Sequence, residues 1–133
     1  MPGDAVIDIA CDIWIPAARP DVINASNVSR LNARLVAQGA NIPCTPEAEL
    51  ALHQRGVLAL PDFIANAGGV ICAAIEYQSG TEKAALDYID ERIRANTRTV
   101  LEDALRKNTL PRAAALALAE RRVHEATATR RWR

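Results

Sequence analysis

Small residues and two asparagines follow three short apolar runs, and they are the residues best suited to bind a ligand. The segments are Pro16-Ala17-Ala18, Gly39-Ala40-Asn41, and Pro61-Asp62 continuing to Asn66-Ala67-Gly68-Gly69. Small side chains let a flat ligand approach the backbone, and each asparagine amide offers one donor group and one acceptor. This set suits a carboxamide or a ribose hydroxyl. It supplies no catalytic acid, base or nucleophile, so we predict no catalytic residue among these segments.

A purely structural interpretation of the same residues stays open. The pair Gly68-Gly69 could only allow close packing of a helix on a strand, and Asn41 could only cap a turn. The prolines could only end strands. A pair of glycines is a weak signal without the GxGxxG fingerprint, which this chain lacks.

The cysteines and histidines do not indicate a metal site. Cys11, Cys44 and Cys72 are far apart and form no CxxC motif, which favours buried free thiols over a disulfide framework or a zinc site. His53 and His124 have no ligand-type neighbours at short spacing. We therefore predict no bound metal.

Three apolar runs predict the strands that would position the ligand-binding segments. They are Cys11 to Pro16, Leu35 to Ala37, and Val57 to Leu60. Strands this short and apolar, alternating with helices, indicate a parallel α/β sheet covered on both faces. Ligands of such sheets bind at the carboxyl ends of the strands. Three strands are about half of a doubly wound nucleotide-binding sheet, so we expect a partial Rossmann-type domain followed by a helical region.

Capping residues predict where several helices begin. Thr45 is an N-cap residue followed by proline, and that helix should run to Arg55 before Gly56. An earlier helix is expected from Ser26 to Arg34, capped by Asn24 or Ser26. The other predicted helices are Asn66 to Gln78, one from Ser79 or Glu82 to about Lys107, and a last one from Pro111 with Leu116, Ala119 and Val123 on its apolar face. The expected units are residues 1–80, a half dinucleotide-binding domain, and residues 81–133, helices packed on it.

Composition limits the possible partners and locations. The 133 residues carry 16 basic and 16 acidic side chains, whereas nucleic-acid binders usually have a basic excess. The basic end, Arg130 to Arg133 with Trp132, is interpreted as a solvated tail, and no nucleic-acid partner is expected. No apolar run approaches the ~20 residues that cross a bilayer, and residues 1–4 do not resemble a signal peptide. We expect a cytoplasmic protein without a membrane partner.

The joint pattern of three segments is more specific than any one of them. They are Cys11 to Ala18, Gly39-Ala40-Asn41 with Thr45 to Ala48, and Pro61-Asp62-Phe63 with Asn66 to Val70. In this order and spacing they resemble the C-terminal segment of the Glu/Leu/Phe/Val dehydrogenase family, across roughly residues 10 to 125. The family oxidatively deaminates amino acids with NAD or NADP.

The resemblance implies roles for individual residues. Ala17 and Ala18 would lie near the cofactor, Asn41 would reach the nicotinamide ribose or carboxamide, and Asn66 would reach the carboxamide. Gly68 and Gly69 would give the cofactor room, and the helix after Gly69 would pack beneath the substrate pocket. The implied cofactor-binding residues are therefore Ala17, Ala18, Asn41, Asn66, Gly68 and Gly69.

One residue in the segment that resembles the family bears on which amino acid is the substrate. Glutamate-specific members carry serine four residues after the second glycine, where this chain has Ala73. Alanine cannot donate the hydrogen bond that holds the substrate's side-chain carboxylate. The resemblance therefore implies an apolar pocket wall at Ala73 and leaves the amino acid undetermined.

The resemblance also implies what these 133 residues lack. The family's catalytic lysine and aspartate lie in an N-terminal domain, and its Gly-rich turn lies in the first half of the cofactor domain. We therefore expect part of an NAD(P)-dependent amino-acid dehydrogenase that is inactive alone and forms a homo-oligomer. The alternative is a catalytically inactive binding or oligomerisation module of the same fold. The choice between NAD and NADP depends on a residue outside these segments.

Overall fold

Three parallel strands form the sheet in the computed structural model, which describes residues 3–129. The strands are β1 (Ile13–Trp14), β2 (Leu35–Ala37) and β3 (Leu58–Leu60), in the order β1-β2-β3. Ile13 is in register with Leu35, and Leu35 with Leu58. The predicted α/β class with a parallel, Rossmann-type sheet is confirmed. Strand β2 spans the whole of its predicted run, whereas β3 begins one residue later than predicted and β1 keeps only the two central residues of its run.

Helices make up most of the remaining structure. Two short 3₁₀ helices, Gly3–Asp8 and Val28–Arg30, lie in the first part of the chain. The α-helices are α1 (Pro46–Gln54), α2 (Asp62–Ala65), α3 (Gly68–Tyr77), α4 (Glu82–Lys107) and α5 (Pro111–Thr129). None of the helices in the described part of the chain is long and apolar enough to cross a membrane. The Arg-rich segment predicted as a solvated tail lies outside the described residues.

The main core is built between the sheet, α1 and the segment that precedes β2. Val36 of β2 and Leu52 of α1 are completely buried. The other buried members of this core are Ile7, Ile23, Val28, Leu31, Ala33, Cys44, Ala48, Val57 and Ala59. Aliphatic side chains therefore hold α1 against the sheet without aromatic residues at the centre.

Helix α1 has the boundaries that its sequence predicts. The Thr45 hydroxyl accepts a hydrogen bond from the Ala48 N–H at 3.3 Å, and Pro46 occupies the first helical position. Gly56 has a φ of +74°, a conformation that glycine adopts without the steric cost of a Cβ. The helix thus begins and ends where local chemistry requires.

The predicted helix from Ser26 to Arg34 is wrong. The Asn24 side chain accepts from the Ser26 N–H at 3.0 Å, and Asn27 accepts from the Asn24 N–H at 2.9 Å. These local hydrogen bonds compete with helical ones, and only the single 3₁₀ turn Val28–Arg30 forms. The connection from β1 to β2 therefore contains no α-helix.

Two boundaries in the second half also differ from prediction. The expected helix from Asn66 to Gln78 corresponds to α3, which begins at Gly68, and Asn66 is instead the C-cap of the short helix α2. The long helix is capped by Thr81, whose hydroxyl accepts from the Ala84 N–H at 3.2 Å. Ser79 instead adopts a φ of +61° in the turn after α3. At Gly80 a Cβ would collide with the Ile75 side chain, which explains the glycine there.

A second core joins α2, α4 and α5. Its buried residues include Ile64 of α2 and Val100 of α4, and its other members are Ala104, Ala114, Ala115 and Leu118. The predicted apolar face of α5 is wrong, because Leu116 and Val123 are 48% and 63% exposed. The alanines let α4 and α5 approach closely, and on α5 they face the core together with Leu118.

Candidate functional site

The loops that follow the three strands meet at one edge of the sheet. The Ala40 N–H donates to the Pro16 carbonyl at 2.7 Å, which joins the loops after β1 and β2. A Cβ at Gly39 would lie 3.3 Å from the Ala17 Cβ and from Ile15. Glycine at position 39 therefore permits the close approach of these two loops. Ligands of parallel sheets bind at this edge, where the carboxyl ends of the strands meet.

Asn41 and Asn66 form a hydrogen-bonded pair between the loops after β2 and β3. The Asn66 Nδ2 donates to the Asn41 Oδ1 at 2.8 Å, with the Gly39 carbonyl at 3.5 Å. Asn41 is exposed and Asn66 is half-buried. Residues 25 positions apart in sequence are thus brought together at the surface of the sheet edge, as the prediction for a shared ligand site requires.

The pair leaves one donor and one acceptor facing outward. Within residues 3–129, neither the Asn41 Nδ2 nor the Asn66 Oδ1 has a hydrogen-bond partner, whereas the Asn66 Nδ2 and Asn41 Oδ1 use each other. Reversing both amides would still leave one free donor and one free acceptor. A carboxamide has the complementary groups, a carbonyl oxygen and an NH₂.

The Asn66 side chain does not cap a helix. Position 66 is the C-cap that follows α2, and α3 begins after Ala67, which makes no side-chain capping bond. The Asn66 backbone N–H donates to the Asp62 carbonyl at 2.7 Å. The structural interpretation of this asparagine as a helix N-cap therefore has no support in the hydrogen bonds.

The remaining predicted site residues have different surroundings. Ala17 and Ala18 are exposed in the loop after β1. At Gly68 a Cβ would lie 3.6 Å from Ile89 of α4, whereas at Gly69 it would meet nothing within 4 Å. A Cβ at Gly68 would thus make only an ordinary van der Waals contact, and Gly69 opens onto free space. Ala73 is exposed on α3, one turn beyond Gly69.

A buried polar cluster under this edge was missed by the sequence analysis. Arg112 of α5 donates to both Glu49 carboxylate oxygens, at 2.7 and 2.8 Å. It also donates to Asp62 at 2.9 Å and to the Gln38 side-chain oxygen at 3.1 Å. Gln38 in turn donates to Glu49 at 2.6 Å. We call these four residues the Arg112 network; it ties α5 to α1, α2 and the end of β2.

Burial makes the charges of the Arg112 network depend on one another. The side chains of Gln38, Glu49 and Asp62 are almost completely buried, where an unpaired charge is costly. The hydrogen bond to Glu49 raises the pKa of Arg112 against the opposing effect of burial. Burial alone would raise the pKa of Asp62, but hydrogen bonds from the Ile42 N–H and Arg112 hold it below its usual value. Both groups are therefore ionised at neutral pH.

One local signal could have indicated the Arg112 network. Arg112 is the second residue of α5, and a cation is unfavourable at the positive end of a helix unless anionic partners are near. Glu49 and Asp62 occupy the first turns of α1 and α2, where the helix dipole alone explains them. Their burial, and hence their need for a cation, is a property of the tertiary structure.

The described part of the chain offers little for acid–base or nucleophilic chemistry at the edge. Burial, followed by the negative charge of Glu49, raises the pKa of the Cys44 thiol to about 12. The two lysines, Lys83 and Lys107, lie on α4 and pair with exposed or half-buried aspartates of the same helix. The edge is therefore suited to binding and orienting a polar group, not to transferring a proton.

Comparison with known proteins gives a consistent result. The family model of Glutamate/Leucine/Phenylalanine/Valine dehydrogenase matches residues 1–131. A glutamate dehydrogenase from Aeropyrum pernix is 38% identical over 96% of this chain and 33% of its own length. An NADP(+)-dependent glutamate dehydrogenase from Pyrobaculum calidifontis is 36% identical over 91% of this chain and 30% of its own length.

Solved structures agree with the sequence matches. L-tryptophan dehydrogenase from Nostoc punctiforme superposes with a TM-score of 0.86 at 26% identity, covering 96% of this chain and 38% of that one. Hetero-hexameric glutamate dehydrogenase from Thermus thermophilus, in a Leu-bound form, superposes with a TM-score of 0.83 at 25% identity, covering 98% and 33%. The chain spans about a third of the length of these relatives.

Proposed function

Because this chain belongs to the Glutamate/Leucine/Phenylalanine/Valine dehydrogenase family, we propose that it forms the C-terminal cofactor-domain portion of an NAD(P)-dependent amino-acid dehydrogenase. Residues 1–80 would be the second half of the dinucleotide-binding domain, and residues 81–133 the helices that pack on it. The complete enzyme would oxidatively deaminate an L-amino acid, with catalytic groups supplied by a part of the enzyme beyond these residues.

The Asn41–Asn66 pair is the observation that supports this proposal most directly. Its free Nδ2 and Oδ1 match the carbonyl oxygen and the NH₂ of a nicotinamide carboxamide. The exposed Gly69, with no atom near a would-be Cβ, leaves room for a flat ring beside the pair. When bound, the cofactor accepts a hydride from the substrate, and this chain's part is to hold and orient the nicotinamide ring.

The surrounding residues would contribute by their small size. Ala17 and Ala18 would border the cofactor, and Gly68 and Gly69 would leave room for its ring. Ala73 would present an apolar wall to the substrate side chain. The relatives act on different amino acids, as the names glutamate dehydrogenase and tryptophan dehydrogenase state. An apolar or aromatic amino acid fits Ala73 better than glutamate does.

We expect Asn66→Ser to weaken cofactor use in the complete enzyme. The serine side chain is one atom shorter and ends in a single oxygen, so it cannot place a donor at the Asn66 Nδ2 position and an acceptor at the Oδ1 position; the loss costs about 1–3 kcal/mol. That cost corresponds to a roughly tenfold to hundredfold rise in the Michaelis constant for NAD or NADP, or to an equal fall in kcat/KM. Steady-state kinetics with both cofactors, together with a melting curve, measure this.

Asn32→Ser is the matched control for that experiment. Asn32 is exposed and precedes β2, so it lies at the opposite end of the strand from Asn41. Its variant should keep normal kinetics and melting. If Asn66→Ser behaves like Asn32→Ser, the cofactor assignment is wrong.

The second candidate function is an oligomerisation module that does no chemistry. Strand β1 is an edge strand within the described residues, and Ile13 and Ile15 there are 56% and 62% exposed. Open strand edges with apolar side chains pair readily with other chains. The Thermus thermophilus relative is a hetero-hexamer by its description. Self-association would suit either function.

We therefore expect this chain to form dimers or larger assemblies through β1. Light scattering should give a mass above 14.4 kDa, and Ile13→Lys should lower it because a charge opposes edge pairing. Leu50→Lys, on the exposed part of α1, should leave the mass unchanged. A monomer at every concentration of the unmodified chain contradicts this expectation.

A further inference from the structure

Ile42, next to Asn41, has a backbone conformation that its own side chain does not favour. Its φ is +49°, a left-handed value that is rare and strained for β-branched residues. The side chain is 57% exposed, so packing in the core does not enforce this conformation. Something else must hold the backbone at Ile42.

Hydrogen bonds hold both peptide groups of Ile42. Its N–H donates to the Asp62 Oδ2 at 2.9 Å, and its carbonyl accepts from the Asp21 N–H at 2.9 Å. The acceptor Asp62 belongs to another element, α2. This bond fixes the peptide group that joins Asn41 to Ile42. Asp62 therefore restricts the backbone orientation of Asn41.

Asp62 is also connected to Asn66 and is itself held in place. Its backbone carbonyl accepts from the Asn66 N–H at 2.7 Å, and its Oδ1 accepts from Arg112 at 2.9 Å. The residue is 7% exposed. The Asp62 side chain therefore holds the peptide that follows Asn41, and its backbone carbonyl holds the N–H of Asn66, while Arg112 prevents the side chain from turning.

We propose that Asp62 is a positioning residue that aligns Asn41 and Asn66 for the cofactor's carboxamide. This proposal rests on the function proposed above. The role requires a carboxylate, because Asp62 accepts at one oxygen from Ile42 and at the other from Arg112. An asparagine has one acceptor oxygen and would turn an NH₂ toward one of these two donors.

Asp62→Asn tests this role without changing the size of the side chain. Glu49→Gln is the matched control, because Glu49 is an equally buried acceptor of Arg112 whose other side-chain partner is Gln38, and it bonds neither Ile42 nor Asn66. Both variants disturb the Arg112 network. Only Asp62→Asn should release Ile42 and the asparagine pair.

The first measurement is NMR spectroscopy of the ¹⁵N-labelled 133-residue chain without ligand. In Asp62→Asn we expect faster amide exchange at Ile42 and side-chain amide signals of Asn66 that shift toward those of a free amide. In Glu49→Gln both should stay as in the unmodified chain. Unchanged Ile42 and Asn66 signals in Asp62→Asn overturn the proposal, whatever the cofactor does.

The second measurement separates this proposal from the function it rests on. In the complete enzyme, at temperatures equally far below each variant's midpoint of unfolding, Asp62→Asn should raise the Michaelis constant for the nicotinamide cofactor about tenfold. Glu49→Gln should raise it less than twofold. If Asn66→Ser impairs cofactor use and Asp62→Asn does not, positioning is refuted while the function survives. If neither variant impairs it, the proposed function itself fails.

Discussion

Replacing Arg112 by methionine should destabilise the fold by about 3–5 kcal/mol, the cost of leaving buried charges without their partner. Methionine keeps much of the side chain's length but removes every donor. Glu49 and Asp62 would then be buried carboxylates without a cation, and the Gln38 oxygen would lose one partner. Urea unfolding followed by circular dichroism measures this loss as a lower midpoint.

The control for Arg112→Met is Arg94→Met. Arg94 pairs with Asp90 on α4, and both side chains are mostly exposed, so losing this pair should cost less than about 0.5 kcal/mol. Arg112→Lys should fall between the two, because it keeps the charge but cannot form the two-pronged bond to Glu49. Equal midpoints for Arg112→Met and Arg94→Met would show that the buried cluster contributes nothing.

The pH dependence should distinguish loss of this charge pair from loss of packing. The pKa of Asp62 lies below its ordinary 3.8 in the folded state. Asp62 therefore adds stability that is present above pH 3.8 and is lost as the pH falls through the lower folded value. In Arg112→Met that contribution is missing at neutral pH, so the difference from the unmodified chain should shrink in acid.

The 133-residue chain tested alone should show no amino-acid dehydrogenase activity. Hydride transfer needs the cofactor and the substrate held together beside a proton-transfer pair. This edge of the sheet supplies amides and small side chains. The nearby carboxylates of Glu49 and Asp62 already accept hydrogen bonds from Arg112 and Ile42. Mixing the chain with NAD or NADP and glutamate, leucine, phenylalanine, valine or tryptophan should give no absorbance from reduced nicotinamide.

The positive control for that assay is a complete dehydrogenase of the same family under the same conditions. An Asn66→Ala version of the chain is the matched negative control, since the absorbance of both the variant and the unmodified chain should equal that of the buffer blank. Turnover that scales with the concentration of the unmodified chain, and survives repurification, would refute the claim that the catalytic groups lie elsewhere.

Local chemistry in the sequence predicted much of the sheet and its edge. Prolines and glycines mark the ends of the three strands, and parallel topology then places Asn41 and Asn66 at the same edge. Thr45 and Gly56 bound α1 because capping depends on neighbours within a few residues. The failed helix after Asn24 shows the limit, since asparagine side chains can satisfy the same backbone groups in a turn.

Long-range contacts were not predictable in the same way. The face of α5 that is buried depends on how closely α4 approaches, and the alanines, not Leu116, occupy that contact. The polar residues of the Arg112 network each have an ordinary local explanation. Their mutual contact depends on the packing of four separate elements, which no periodicity within one element reveals.

The separations within the Arg112 network bear on the order in which the fold can form during synthesis. Arg112 lies 50 residues after Asp62, 63 after Glu49 and 74 after Gln38. In a growing chain all three partners, together with the strands of the sheet and α1, are therefore synthesised before their cation. Closing so long a loop is also entropically slow. The asparagine edge can therefore reach its final geometry only after α5 has been synthesised and has docked.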